Sequence, residues 1–327
     1  VKTETEPITS AVANPETAAN AAGAQRIPRM LWLAMGVLTL GFGSILYSVI
    51  RLSFQSELHS HLLLIPPVSW FVWRFIDRED AKSGAVVLLP SRSPGGALAA
   101  AIFGIASMGV CFMLRGRALP VTEWLWAAVL GYLFFLLAAA LWTMGWPRLK
   151  GHKFSLLFLL FAAPLPLAVT NALSILLQHG SAEVADWTLS LSGLPVLREG
   201  LEFRLPTMGM RVAEECSGVR STLVLFITSL LAGKMFLRAP WKCAALALAT
   251  IPLGLLRNAL RITMLAWLSV NVDRTIMNGP LHNYSGMLFF PLSLMPLFVL
   301  LWWFRRSEGG DKERIKNRLG TDRLLID

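Results

Sequence analysis

The sequence predicts an all-α polytopic membrane protein. It has about eight transmembrane helices and a small extracytoplasmic β-hairpin or three-stranded meander ahead of the sixth. Three observations carry that reading. The 327 residues are 55% hydrophobic and only 15% charged, with a mean hydropathy of +0.57, whereas a water-facing surface needs more charge. Apolar stretches of ~20 residues, enough to cross ~30 Å of hydrocarbon as a helix, recur along the chain. Twelve Trp beside three Tyr fit a chain in contact with headgroups.

The apolar stretches fall at 30–50, 58–76, 96–114, 122–145, 154–177, 217–236, 243–269 and 285–304. The second is interrupted by His59, His61 and Pro66-Pro67, and the fifth carries APLP at 163–166. Proline inside a span leaves a carbonyl that neighbouring groups must satisfy. Residues 1–25, rich in Ala, Thr, Glu and Asn, read as a disordered cytoplasmic tail with no cleavable signal. Residues 26–306 form one transmembrane domain, and 307–327 a short basic cytoplasmic tail.

Lys and Arg set the orientation. With the N-terminus in the cytoplasm and eight crossings, twenty of the thirty Lys and Arg fall inside and seven outside. Arg220, Arg257 and Arg261 fall within spans, and Arg115 and Arg117 lie against the trend. The net charge of +10 is spread in short clusters between apolar runs, which fits an anionic inner leaflet and not nucleic acid. Three cysteines without CxxC spacing make neither a metal site nor a disulfide framework, and no cofactor is expected. His59 and His61, two apart, do not share a helix face and read as packing or headgroup contacts. Cys111 and Cys243 read as small buried hydrophobes.

The longest extracytoplasmic segment is about 178–215. Its first part carries Val184, Trp187 and Leu191 on one helical face, as for a helix lying along the interface. Then Glu199-Gly200 separates VLR from LEFRL, and Met208-Gly209 separates LEFRL from MRVAE, the pattern of a small meander. Strands that feed straight into a helix can hold a residue firmly at the membrane surface.

That residue is Cys216, at the outer start of the sixth span. The seventh span carries Arg257 and Arg261, four apart and so on one helix face. A guanidinium in hydrocarbon costs at least ~2.5–3.5 kcal/mol, so it must face the bundle, a partner or a wet cavity. Arg261, about two turns below the outer end, can snorkel outward. His282 lies just ahead of the eighth span, again outside. A thiol, a guanidinium and an imidazole therefore share one side of the membrane. Their chemistry is acyl transfer. A cation or His lowers the thiol pKa from ~8.5, His carries the proton to the leaving amine, and a fixed cation stabilises the oxyanion. Arg220, four residues after Cys216, and Arg257 are the alternative sources of the guanidinium.

These residues resemble the exosortase/archaeosortase family of membrane transpeptidases. VAEECSGVRS (Val212–Ser221) is similar to the family's run around its nucleophile, with Glu215 where a small residue is usual. It makes Cys216 the nucleophile, with Glu214, Ser217, Gly218, Arg220 and Ser221 as motif positions. IPLGLLRNALRI (Ile251–Ile262) resembles the second block and makes Arg261 the catalytic arginine, beside Asn258. HNYSGMLFF (His282–Phe290) resembles the third, with His282 catalytic and Gly286 a motif position. SHLLLIPPVSWFVWR (Ser60–Arg74), FSLLFLLFAAPLPL (Phe154–Leu167) and LSGLPVLREG (Leu191–Gly200) also look familial, with Leu62 where Gly is usual.

The resemblance implies a membrane-embedded cysteine transpeptidase or protease of the bacterial inner membrane, with both termini cytoplasmic and the active site on the periplasmic face. Its substrates are implied to be proteins with a PEP-CTERM-like tail: a Pro-Glu-Pro-type motif, a transmembrane helix and a basic end. Such enzymes accompany polysaccharide export in Gram-negative bacteria. The short basic tail after Arg306 leaves no fused C-terminal domain expected. The other partners are membrane lipids, with no nucleic acid. The alternative from another class is a polytopic transporter or export component for polysaccharide or lipid intermediates, with Arg257 and Arg261 lining an anionic path. The order of the motifs and the lack of an internal repeat favour the enzyme. An inactive membrane scaffold is opposed by the intact Cys216, Arg261 and His282. Substrate identity, cleavage position and acceptor nucleophile are not encoded in these motifs.

Overall fold

The computed structural model describes residues 27–82, 92–117, 119–205, 208–211, 218–273 and 289–308. The chain divides into two compact units, Val1–Pro166 and Leu167–Asp327. Four helices are long and apolar enough to cross a membrane: Pro94–Arg115, Val121–Thr143, Val219–Phe236 and Pro240–Asn271. The number rises to six if Arg29–Gly41 with Gly43–Gln55, and Lys153–Ala162 with Leu167–Leu191, each count as one broken span. Eight spans were expected, so four to six of them have a counterpart among the described residues.

The first unit begins with α1 (Arg29–Gly41) and α2 (Gly43–Gln55), which bend by 71° at Phe42. Over the expected span at 58–76 the chain forms two 3₁₀ turns, Glu57–His59 and Leu62–Leu64, and then α3 (Ile65–Lys82). Pro66 and Pro67 therefore sit in the first turn of α3, where a missing N–H costs no helix bond. The long hairpin of this unit is α4 (Pro94–Arg115) and α5 (Val121–Thr143). These two meet through small residues. A Cβ on Gly104 would lie 3.1 Å from the Phe135 ring, and one on Gly131 would lie 3.0 Å from Met108 Sδ. Ser107 Oγ donates to Ala127 O at 2.8 Å across the same seam. Small side chains of this kind let membrane helices approach closely.

Two short helices follow, α6 (Trp146–Gly151) and α7 (Lys153–Phe158). A buried polar knot ties them to α3. The His152 ring stacks on Trp73 at 3.8 Å, its Nε2 lies 3.3 Å from Asp77 Oδ1, and Ser69 Oγ donates to Ser155 O at 2.8 Å.

The second unit is built from α8 (Leu167–Leu191), a three-stranded antiparallel sheet, α9 (Val219–Phe236), α10 (Pro240–Asn271) and the helix α11 over 289–308. The fifth expected span was to end at 177, but α8 continues through the polar His179, Glu183 and Asp186 to Leu191. Backbone hydrogen bonding does not stop where hydropathy falls. In α8, Trp187 and Leu191 are exposed, while Val184 packs against the core. The apolar run of α11 ends at Phe304, and Arg305, Arg306 and Glu308 follow, so its described part is not among the four candidate spans.

The expected meander is present as β1 (Leu197–Glu199), β2 (Glu202–Leu205) and β3 (Met208–Arg211). Glu199 pairs with Glu202 and Leu205 with Met208. Gly200, at φ +64, turns the first hairpin. The second turn is not at Met208-Gly209, which lie inside β3; the connection falls at residues 206–207, outside the described set. Phe203 is fully buried and joins Leu205, Ala182, Ala185, Leu189, Ala259, Ile262 and Ala266 in one core, so the sheet sits on α8 and α10. Arg198 adds an edge tie, 2.6 Å to Glu183 and 3.6 Å to Asp186 on α8.

At the opposite end of α10, the Glu308 carboxylate accepts from the backbone N–H of Arg238 at 3.0 Å and of Ala239 at 3.0 Å, capping the helix start. Burial raises its pKa, but those two N–H donors and the charges of Lys242 and Arg238 outweigh it and hold it below the usual carboxylate range. This cap therefore stabilises the fold above the unfolded Glu pKa of ~4.3, and the contribution is lost as pH falls through the lower folded value.

Two outcomes are expected. Phe203→Ala should cost about 3–5 kcal/mol and bring early proteolysis at the sheet, measured by denaturation and limited digestion in detergent. Glu308→Gln should lower the thermal midpoint at neutral pH and narrow its gap from wild type as the pH drops below 4. An equal gap at every pH would contradict the cap.

Candidate functional site

The sequence directs attention to the start of α9. Its N-cap is Gly218, in the left-handed region at φ +72, ψ 14. Only glycine adopts that conformation without strain. A second constraint acts at the same position. A Cβ on Gly218 would lie 3.1 Å from Arg257 Nη2 and 3.7 Å from Asn258 Cγ. The glycine therefore serves both the turn and the close approach of α10.

Arg257 and Asn258 are 7% and 1% exposed. Arg257 Nη2 donates to Ser221 Oγ, and Ser221 Oγ donates in turn to Gly218 O at 2.9 Å. One guanidinium thus ties the first turn of α9 to the middle of α10. Arg257 Nη1 is also buried and has no hydrogen-bond partner among the described residues.

Helices α9 and α10 run antiparallel, because Gly218 meets Arg257, Gly254 meets Thr222 and Gly233 meets Cys243. A Cβ on Gly254 would come within 2.5 Å of Thr222 Oγ1, so this seam admits no side chain. Beyond Arg257, α10 continues to Asn271, about 21 Å of helix at 1.5 Å per residue. That stretch carries Ala259, Ile262 and Ala266, which pack on α8 and the sheet. Thr188 on α8 and Thr263 on α10 share a hydrogen bond of 2.6 Å.

Arg261 is half-buried on this C-terminal stretch, one turn or about 6 Å beyond Arg257 and on the same face. Arg220, the other arginine of the first motif, is exposed on the first turn of α9. The guanidinium that the structure brings against Gly218 is therefore that of Arg257, and sequence spacing alone did not separate it from Arg261. Glu214, Cys216, Ser217, His282 and Gly286 lie outside the described residues. Ser221 entered the sequence reading only as a motif position; its link between Arg257 and Gly218 depends on the packing of two helices. Cys243, read as a buried hydrophobe, donates its Sγ–H to Gly233 O at 3.3 Å in the same helix seam.

The Arg257 guanidinium meets the positive end of α9, with Arg261 one turn further along the same face of α10. Such an arrangement attracts negative charge: a thiolate, a carboxylate or an oxyanion. Among the described residues no His, Cys, Asp or Glu group of three could hold a metal ion.

Compared with known families, residues 51–299 match the transmembrane exosortase family. No curated protein matches the chain. No solved structure matches it either.

Gly218→Ala should destabilise by about 1–2 kcal/mol from left-handed strain alone, and more from contact with Arg257. In a double-mutant cycle with Arg257→Ala, thermal unfolding should give a coupling of about 0.5–3 kcal/mol. Strict additivity would mean that the two residues do not touch.

Proposed function

Because the chain belongs to the transmembrane exosortase family, a family of membrane protein-sorting transpeptidases, we propose that it is a cysteine transpeptidase or protease working through a thioester acyl-enzyme. The observation that carries this reading is the built start of α9, two residues after Cys216. Two peptide units span at most about 7 Å. A thiol at position 216 is thereby tied to a glycine that is fixed by φ, by Arg257 and by Ser221.

In this account the Cys216 thiolate attacks the substrate's peptide carbonyl and forms a C–S bond. Arg261 stabilises the oxyanion. His282 delivers a proton to the leaving nitrogen as the C–N bond breaks. A second nucleophile, an amine or water, then attacks the thioester, and its proton returns through His282 as the thiol leaves. Arg257 and Asn258 support this centre from below. Glu214, Ser217, Arg220 and Gly286 are motif positions around it. The substrates are proteins with a Pro-Glu-Pro-type motif, a transmembrane helix and a basic end, which places the scissile bond just outside a span. The chain resides in the inner membrane with both termini cytoplasmic. It crosses eight times, with the stretches 58–76 and 285–304 added to the four to six spans that length and composition give.

The transporter reading uses Arg257 and Arg261 to line an anionic path. The burial of Arg257 against Gly218 and its bond to Ser221 favour a local, structural task for that guanidinium instead.

In cells co-expressing a PEP-CTERM-tailed reporter, wild type should trim the tail. Cys216→Ala and Cys216→Ser should leave it full-length at normal enzyme levels, and Arg261→Gln should slow trimming by about 10²–10³-fold. Normal trimming by the Cys216 variants would overturn the nucleophile assignment.

A further inference from the structure

The first unit contains a cavity that the proposed chemistry does not use. It has a volume of about 340 Å³ and is lined by Met30 and Ala34 of α1, Pro94 and Ala97 of α4, and Ala138 and Trp142 of α5, among others. These are the starts of α1 and α4 and the end of α5. All three helix ends belong to the cytoplasmic side of the topology set by Lys and Arg.

The walls are apolar, but the rim is cationic. Arg29 and Arg92, both exposed, immediately precede the lining residues Met30 and Pro94, with only Ser93 between in the second case. The Arg92 guanidinium lies over the Trp142 ring at 5.7 Å, so the charge stands beside a wall of the cavity. Its backbone is held there: Ser93 N donates to Leu141 O at 3.2 Å, and Ser93 Oγ accepts from Trp146 N at 2.8 Å. That second bond leaves the Ser93 hydroxyl out of the capping role, and neither α4 nor α1 has a side-chain cap at its N-terminus. Two positive helix ends thus add to two arginines.

An apolar slot under a cationic rim at the membrane boundary matches a molecule with an acyl chain below and a negative phosphate above. We propose that this cavity binds an anionic glycerophospholipid of the cytoplasmic leaflet, with one acyl chain between α1, α4 and α5 and its phosphate at Arg29 and Arg92. The proposal does not depend on the thioester mechanism.

The test uses the full chain in phosphatidylcholine vesicles doped with a phosphatidylglycerol probe carrying a photoreactive acyl chain. Labelled peptides are mapped by mass spectrometry. Label is expected on the starts of α1 and α4 and the end of α5. Two arginines near an anionic headgroup contribute roughly 1 kcal/mol each, so the preference over the matching phosphatidylcholine probe should be about 30-fold. The exposed-site double variant Arg29→Gln/Arg92→Gln should reduce labelling to the phosphatidylcholine level, and Ala138→Trp should exclude the chain. Equal labelling by both probes, or labelling unchanged in the double variant, would overturn the proposal. So would competition by soluble glycerol phosphate, which points to a phosphate site alone, or cross-linking of two copies through the cavity, which points to a second chain as occupant.

Discussion

A buried guanidinium in a membrane-length helix must be given partners, and that constraint organises the second unit. Arg257 lies in the middle of α10, where insertion costs at least ~2.5–3.5 kcal/mol. The helix beside it supplies what is needed. Gly218 removes its side chain so that Nη2 can approach to contact, and Ser221 offers a hydroxyl one turn later. The same glycine must turn the chain into α9 through a left-handed residue. Thr222 against Gly254 and Cys243 against Gly233 continue the close seam down the hairpin. Replacing either helix face would leave the cation without a bond or the seam without room.

With the start of α9 fixed, the other elements follow from what α10 has left uncovered. Its C-terminal half extends beyond α9, and a bare apolar helix face at that level needs a cover. The three-stranded sheet provides it through Phe203 and Leu205, and α8 through Ala182, Ala185 and Leu189. The sheet leads through β3 toward residues 212–217, and α9 receives the chain at Gly218. The segment carrying Cys216 is therefore joined on both sides to elements of the unit packed on α10.

Much of this architecture was legible in the sequence where one physical signal dominates. Pro94–Arg115 and Val121–Thr143 are uninterrupted apolar runs, and the helices match the expected spans to within a few residues. The meander was legible from VLR and LEFRL around Gly200, because alternation and a positive-φ glycine act locally. The second turn was misplaced because Met208-Gly209 looks like a turn pair, yet strand pairing with Leu205 and Arg204 claims both residues. Over 58–76 the prolines were misread for a different reason: hydropathy is blind to the backbone, and Pro66-Pro67 start a helix instead of interrupting one. Likewise, His179, Glu183 and Asp186 hid the continuity of α8: a helix through Leu191 was expected, but as a separate interfacial one. At the site, helical spacing placed Arg257 and Arg261 on one face, but only the packing of α9 on α10 shows which one meets Gly218. Cys216 and His282 remain a reading of motif and chemistry.

The most direct test of the central claim is to catch the acyl-enzyme. The purified full chain would be mixed with a peptide carrying a PEP-type motif and its transmembrane helix, quenched in acid, and examined by intact and peptide mass spectrometry. The account predicts a covalent adduct on Cys216 with the mass of the N-terminal fragment, released by neutral hydroxylamine as a thioester must be, and absent in Cys216→Ala. An adduct on another residue, or cleavage that proceeds in Cys216→Ala, would contradict it.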